Sequence, residues 1–436
     1  MTDDLLNIAG DVIARARKLG ADAAVASVVD GVSTDVEMQA GAVEKLERSE
    51  GRRLGLTVYV GKSSASTSGS VFTSEAIDRL AESALAMARL APPNPYAGVA
   101  DPSQLARVFP DLDMVSSRIP EAAELQDLAQ AVEAAALAVP GVTKSGGAGA
   151  SAFDRTGAMA ISNGFARASR RTGISFSASA IAGDGTAMER DYDYSSVVHV
   201  EDLRAPGEVG REAGHRAVRR LNPRKVASQA VPVVFDSRVS ASLIGHVLGA
   251  ITGSAIARGT SFLKNDLGKS IFPAGLFIVE DPLRRRGLSS RSFDGDGLPM
   301  HARNIIEDGR LTTWLLDLRS ARQLGMEPTG HGSGPSNIHM QAGALTPQQL
   351  MSDIGQGLLV TEMIGSSIDM VTGDYSRGAS GYWIENGELT YPVSEITIAG
   401  NLRDIFLTVT PASDLEFTRA INAPSCRVEG LTIAGR

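Results

Sequence analysis

The stretch Phe235–Leu263, FDSRVSASLIGHVLGAITGSAIARGTSFL, decides how the rest of the chain is interpreted. It predicts a buried helix with a polar stop at Arg258–Ser261. Small residues recur at every fourth position, so a helix would align them along one slightly drifting stripe. A glycine inside a helix costs up to about 1 kcal/mol relative to alanine. The stripe therefore predicts that another backbone lies against it, or that helices pack tightly within the core. Its members are Ala241, Gly245, Gly249, Gly253 and Ala257.

The same helix raises the question of a membrane span, because no charge occurs between Val239 and Ala257. His246, four serine or threonine residues and the character of the remaining chain argue against a span. The N-terminus is acidic and then amphipathic, which predicts a helix and not a signal peptide. A single cysteine, Cys426, excludes an internal disulfide and fits a reducing compartment. We therefore predict a cytoplasmic protein with no membrane association.

Length and charge restrict the class of protein further. A chain of 436 residues that is 43% hydrophobic and 21% charged is typical of a globular protein with two or three domains. A net charge of -8 argues against general binding of nucleic acids, which requires a basic face. Two basic groups, Arg284–Arg286 and the set Arg219, Arg220, Arg224 and Lys225, are interpreted as solvated loop and helix-end charges.

The pattern along the chain predicts an α+β protein. We expect an N-terminal α/β domain over 1–101, a small β-rich central region over 102–225 and a mostly antiparallel, barrel-like β domain over 226–436. Asp30–Gly31 predicts a hairpin turn between strands 23–29 and 33–39. Two similar segments, 305–314 and 382–392, each place a turn dipeptide between short strands, as two hairpins of one sheet or a duplication would.

A search for chemistry finds no self-sufficient active site. None of the six histidines has a compact metal-ligand spacing, although His331 and His339 lie in one glycine-rich loop and could approach each other. Asp294 and Asp296 suggest a calcium loop, but the later ligands are missing and a plain turn is favoured. Cys426 has no predicted helix N-terminus to activate it.

Several segments, in order, resemble the TldD/TldE (PmbA) family over essentially the whole chain. The family is associated with a cytoplasmic zinc metalloprotease of two related subunits that trims unfolded peptides, such as peptide-antibiotic precursors and antitoxins. It is often labelled a modulator of DNA gyrase. The segments are DVEMQAGAVEKLERSEGRRLGLTVYVGKSSASTS (35–68), GTSFL (259–263), FDGDGLP (293–299), EPTGHG (327–332), DMVTGDYSRGASGYWIENGEL (369–389) and CRVEGLTIAG (426–435).

The resemblance also implies where a metal site has been lost. The TldD subunit has a His-Glu-x-x-x-His motif on the helix before its Gly-Thr-Ser and a third ligand from a C-terminal cysteine. Alignment through Gly259-Thr260-Ser261 places Ile244 at the first histidine, Gly245 at the glutamate and Gly249 at the second histidine. Cys426 then matches the position of the cysteine ligand. One thiolate cannot hold zinc alone. We therefore expect no cofactor in this chain, with zinc in a TldD partner.

Three functional hypotheses follow. The leading one is a non-catalytic or regulatory TldE-type subunit that pairs with a TldD-like catalytic subunit and helps to hold an extended peptide by strand addition. Asp294, His331 and Tyr375 are the candidate peptide contacts. A stand-alone peptide-binding homodimer is the alternative, and an independent hydrolase with a metal site of His331, His339 and Cys426 is the third. Any link to gyrase would be indirect.

Overall fold

The N-terminal half of the chain forms one six-stranded antiparallel sheet. The computed structural model describes residues 2–435, apart from the side chain of Ser366. The elements of this half are α1 (Thr2–Lys18), β1 (Ala23–Gln39), β2 (Ala42–Val60), β3 (Ser63–Gly69), α2 (Ser74–Leu90), α3 (Ala122–Leu137), β4 (Val142–Ile161), β5 (Ala166–Ala182), β6 (Glu189–Val197) and α4 (Pro206–Arg219). The strand order is β3-β2-β1-β4-β5-β6. The predicted boundary near residue 101 therefore separates two parts of one sheet, and the domain limits stay a prediction.

The predicted hairpin at Asp30–Gly31 is wrong. β1 continues through this dipeptide, with Asp30 opposite Arg52 on β2 and Thr156 on β4. Hydrogen bonding to a strand on either side outweighs the local turn preference of the dipeptide. The turn lies instead between β1 and β2, at Ala40 and Gly41, where both residues have positive φ.

The helices cover one face of this sheet. The fully buried residues of β1 include Ala24, Ala26 and Val28 near its start and Val36 and Met38 near its end, all on the same side of an alternating strand. Helices α1 and α2 pack over the first group and α3 and α4 over the second. Small side chains bring α3 and α4 so close that a Cβ on Gly210 would lie 2.2 Å from the Val132 carbonyl oxygen. The low aromatic content of the chain fits this packing.

The C-terminal half is built around a closed barrel and a second sheet. Its strands are β7 (Gln229–Phe235), β8 (Ile278–Glu280), β9 (Arg303–Glu307), β10 (Arg310–Leu311), β11 (Ile338–Met340), β12 (Gln356–Ile368), β13 (Asp374–Glu385), β14 (Glu388–Asn401), β15 (Thr410–Pro411), β16 (Ile421–Asn422) and β17 (Cys426–Ala434). The barrel order is β14-β13-β12-β7-β17, closed by pairing of β14 with β17. The second sheet has the order β10-β9-β8-β11-β16. The predicted α+β class with a barrel-like C-terminal domain is confirmed.

The long helix predicted between Val239 and Ala257 is two helices. The C-terminal helices are α5 (Ser237–Ala250), α6 (Gly253–Arg258), α7 (Leu318–Leu324), α8 (Pro347–Met351) and α9 (Leu402–Leu407). Between α5 and α6, the backbone N–H of Gly253 donates to the Leu315 carbonyl, and Leu315 N–H donates to the Ile251 carbonyl. Pairing with a neighbouring segment therefore interrupts the helix at the position where the sequence pattern continues.

The two similar segments form hairpins in different sheets, so the alternative of two hairpins of one sheet is wrong and the alternative of a duplication stays open. Asp308–Gly309 turns β9 into β10 in the second sheet, whereas Asn386–Gly387 turns β13 into β14 in the barrel. All four turn residues have positive φ, as an Asp-Gly or Asn-Gly hairpin turn requires. The dipeptides determined the turns, and the sheets depend on tertiary pairing.

Candidate functional site

The positions aligned with the metal-site motif lie on different faces of α5. Ile244 is completely buried in the barrel core, whereas Gly245 and Gly249 are exposed. A Cβ on Gly245 would meet no atom within 4 Å, and one on Gly249 would meet only the Met370 methyl group at 3.3 Å. The predicted close approach of another backbone therefore does not occur at these two glycines. It occurs at Gly253 on α6, where a Cβ would lie 2.1 Å from Ser320 Oγ and 3.1 Å from the Leu315 carbonyl oxygen.

These positions do not supply a metal site. Isoleucine and glycine side chains have no donor atom, and the Cys426 thiol is completely buried, 3.6 Å from Met340 Sδ. Burial raises the pKa of Cys426 far above its usual range, which opposes formation of a thiolate ligand. Within residues 2–435, no group of three or more His, Cys, Asp or Glu residues could hold a metal ion. The side chains at the aligned positions therefore do not form a set of zinc ligands.

His331 belongs to a buried polar cluster whose members bond to one another. Its Nε2 lies 2.9 Å from Glu280 Oε2 and its Nδ1 lies 2.8 Å from Thr329 Oγ1. The backbone N–H and the hydroxyl of Ser336 both donate to Glu280 Oε1. Burial opposes ionisation of Glu280, but the bonds from His331 and Ser336 outweigh it and hold its pKa below the usual range. His339 instead packs its ring against Phe417, so the two histidines do not share a site.

Asp294 connects two of the family-like segments. Its carboxylate accepts hydrogen bonds from the backbone N–H groups of Asp296, Leu298 and Gly332, which joins the FDGDGLP loop to the GHG loop. Only 2% of Asp294 is exposed. Asp294 and His331 thus bond to the chain itself in this conformation, and their contact with peptide stays a prediction.

Tyr375 lies beside α5 and contacts His246 on that helix. Its ring packs edge-on against His246 at 5.7 Å, and its hydroxyl lies 3.3 Å from Met363 Sδ. Burial and the Arg377 charge lower the pKa of His246 to about 4, so the imidazole is neutral at physiological pH. The Nε2 of His246 is buried and has no hydrogen-bond partner within the described residues. Tyr375 borders an open cavity, but only 2% of it is exposed, and its contact with peptide stays a prediction.

Sequence analysis missed a charged cleft between the two halves of the molecule. Arg220, interpreted as a solvated helix-end charge, is only 8% exposed and forms ion pairs with Asp191 at 3.5 Å and Glu362 at 2.5 Å. Arg238, in the first turn of α5, lies 2.8 Å from the second Asp191 oxygen. Burial opposes ionisation of Asp191, but the charge and hydrogen bond of Arg238 lower its pKa. No local sequence signal identifies this cleft, because its residues come from four distant segments.

The basic group Arg284–Arg286, interpreted from the sequence as solvated, is also only partly exposed. Arg285 remains mostly exposed, but Arg286 binds Asp113 at 2.8 Å and Asp202 at 2.9 Å and so joins the C-terminal half to the central region. Arg284 lies over the Phe417 ring.

Comparison with known proteins shows the family to which the chain belongs. Three family models match: PmbA/TldA metallopeptidase domain 1 over 24–88, the central domain over 116–221 and the C-terminal domain over 228–435. The chain belongs to the PmbA/TldD metallopeptidase family. Metalloprotease PmbA of Escherichia coli O157:H7 is 39% identical over 97% of this chain and 94% of its own length. A PmbA homologue of Haemophilus influenzae is 36% identical, with 96% and 94% covered.

Solved structures of the family share the whole fold. A Bacteroides thetaiotaomicron protein described as a proposed modulator of DNA gyrase superimposes with a TM-score of 0.94 at 28% identity and full coverage of both chains. TldE from Thermococcus kodakarensis superimposes with a TM-score of 0.85 at 17% identity, covering 98% of this chain and 100% of its own. No helix in residues 2–435 is long and apolar enough to cross a membrane.

Proposed function

We propose that this PmbA/TldD family chain is the TldE/PmbA-type, non-catalytic subunit of a two-subunit zinc metalloprotease that cleaves unfolded peptides. The observation that carries the proposal is that the aligned positions of α5 have no side chain that can bind a metal. Ile244 and Gly249 align with the two histidine ligands and Gly245 with the glutamate, and the aligned thiol of Cys426 is buried in the core. Zinc and the general base would therefore belong to a TldD-like partner, and this chain would support the partner and the bound peptide in the cytoplasm.

The structure offers an edge at which an extended peptide can bind. β6 is the last strand of the six-stranded sheet, and its residues line cavities beside α5. The carbonyl groups of Tyr192 and Tyr194 accept hydrogen bonds from the ends of Arg216 and Arg204. A peptide backbone can replace such flexible donors, and main-chain hydrogen bonds tolerate many sequences. Strand addition would thus suit a protease of unfolded chains.

The test compares the chain alone, the TldD-like partner alone and the co-purified pair. Cleavage of a fluorescent unstructured peptide is measured with and without a chelator, together with zinc content and native mass. We expect chelator-sensitive cleavage by the pair and none by this chain alone. A Cys426→Ala variant of this chain should leave the zinc content of the pair unchanged, because the thiol is not a ligand.

Two results would contradict the proposal. Zinc-dependent cleavage by this chain alone, with one metal bound per chain, would show that it has its own catalytic site. A peptide-binding homodimer that captures no TldD-like protein from native extract would support the stand-alone alternative.

A further inference from the structure

A cavity of about 460 Å³ lies where β6, α5, β12 and β13 meet. Five arginines line it against two carboxylates, so the charges of the lining leave a formal excess of three positive charges. Arg377 lies in the family-like segment 369–389, but none of these side chains is at a position aligned with the metal site. The arginines are Arg190, Arg220, Arg238, Arg377 and Arg419, and the carboxylates are Asp191 and Glu362.

The carboxylates neutralise only part of this set. Arg220 forms ion pairs with Asp191, Glu362 and Glu189, and Arg238 forms ion pairs with Asp191 and Asp236. Arg419 donates to the Tyr194 hydroxyl and to the Arg238 carbonyl, neither of which is charged. Arg377 forms no ion pair with any carboxylate in the described part of the chain. Two part-buried guanidinium groups are therefore left without an anion.

Hydrogen-bonding groups without partners line the same cavity. The hydroxyls of Ser242 and Thr361 and the Nε of Arg377 are buried and lack a partner within residues 2–435. Thr361 is only 7% exposed. A buried polar group without a partner lowers the stability of a folded protein, so such groups are rarely left without a reason. Hydroxyl and guanidinium N–H groups are all donors that a bound carboxylate can accept from.

We propose that this cavity binds a carboxylate of the peptide substrate, most directly its C-terminal carboxylate. The inference rests on the proposed function, in which the chain holds an extended peptide beside β6. Val239, Ala241 and Met363 form an apolar part of the lining, which can contact the terminal side chain without selecting its identity. A carboxylate has two oxygens that can accept hydrogen bonds from two guanidinium groups, and competition with inorganic phosphate tests whether the cavity is a general anion site instead.

The experiment measures binding of N-terminally labelled unstructured peptides by fluorescence anisotropy, with the full chain and with the co-purified pair. One peptide has no Asp or Glu and a free C-terminus, a second is its C-terminal amide, and a third is the amide with one internal Glu. We expect the amide to bind at least tenfold more weakly than the free acid. Recovery of affinity by the third peptide would assign the site to side-chain carboxylates instead of the C-terminus.

Variants connect this difference to the cavity. The Arg377→Gln variant should bind the free-acid peptide and its C-terminal amide with equal affinity. The Thr361→Val variant should reduce the difference in affinity between the two peptides several-fold. Arg310→Gln, on the exposed strand β10, is the control and should keep the full difference. Urea denaturation checks that each variant is folded, and Thr361→Val still tests the proposal if Arg377→Gln fails to fold.

The possible failures are distinguishable. Equal binding of acid and amide by the unmodified chain, or an unchanged difference in Arg377→Gln, would overturn the carboxylate site and leave the proposed function intact. Displacement of the free acid by millimolar inorganic phosphate would show a general anion site and overturn the proposal. Failure of every peptide to bind either preparation would contradict the proposed function itself and the inference with it.

Discussion

Two polar clusters of the molecule contain similar types of residue, but they differ in whether their hydrogen-bonding groups find partners within the described residues. In the Glu280 cluster, His331, Thr329 and Ser336 find hydrogen-bond partners inside the protein. In the arginine cavity, Ser242, Thr361 and Arg377 retain buried donors without partners. The first cluster contributes to the stability of the fold, whereas the second has binding capacity that the chain itself does not use. Burial of polar residues alone therefore does not identify a binding site, and the balance of donors and acceptors does.

The largest effect should come from removing the acceptor of the closed cluster. Glu280→Ala leaves His331 and both donors of Ser336 unpaired in a site that is completely buried. We expect the free energy of unfolding to fall by about 3–5 kcal/mol, as for other broken buried pairs. Urea denaturation measures it.

Arg377→Leu is the matched change in the arginine cavity. It removes a part-buried charge that has no carboxylate partner, so stability should change by less than about 1 kcal/mol or increase. A loss as large as that of Glu280→Ala would show that Arg377 has a structural partner and would remove the contrast between the clusters.

A fall in pH should change the contributions of His246 and Asp296 to the free energy of unfolding in opposite directions. For His246, beside the cavity, the folded pKa of about 4 lies below its ordinary value of 6.5, so the unfolded chain binds the proton first as pH falls. This contribution to stability is present above pH 6.5 and is lost progressively from pH 6.5 to 4. Between pH 7.5 and 5, the free energy of unfolding of His246→Phe should therefore fall by about 2 kcal/mol less than that of the unmodified chain.

Asp296, beside the closed cluster, has the reverse linkage. Burial raises its pKa from 3.8 to about 6, so the folded chain binds the proton first and gains stability as pH falls from 6 to 3.8. Asp296→Asn should therefore stabilise the protein at pH 7.5, and this gain should be about 1 kcal/mol smaller at pH 5. Urea denaturation at both pH values tests the pair of variants. Parallel pH profiles of the two variants would contradict the assignment.

A further pair of changes compares the helices α5 and α6. Gly253→Ala places a methyl group against Ser320 and the Leu315 carbonyl and should cost about 1–2 kcal/mol. Gly245→Ala adds a methyl group in open space inside a helix and should stabilise by about 0.5–1 kcal/mol. Thermal or urea unfolding compares them. Equal destabilisation by both would mean that the Gly245 face of α5 is covered in solution.

Local patterns predicted the elements that depend on neighbouring residues. Helix α1, the turns at Asp308–Gly309 and Asn386–Gly387, and the end of α6 at Gly259 agree with the structure, because capping and positive φ are determined within a few residues. The ordered motifs identified the family across the whole chain. The resemblance also directed attention to α5, where the absence of donor side chains is a property of the sequence itself.

The sequence by itself thus determined the fold class, the family and the lack of donor atoms at three positions of α5. Only the tertiary structure decided that β1 runs through Asp30–Gly31, that the helix breaks at Ile251–Thr252, and that Arg220 is buried. Each of these depends on partners distant in the chain, such as Thr156, Leu315 and Glu362, whose hydrogen bonds or charges outweigh a local preference. The arginine cavity also depends on the tertiary structure, because a donor is without a partner only when no group from any other segment reaches it.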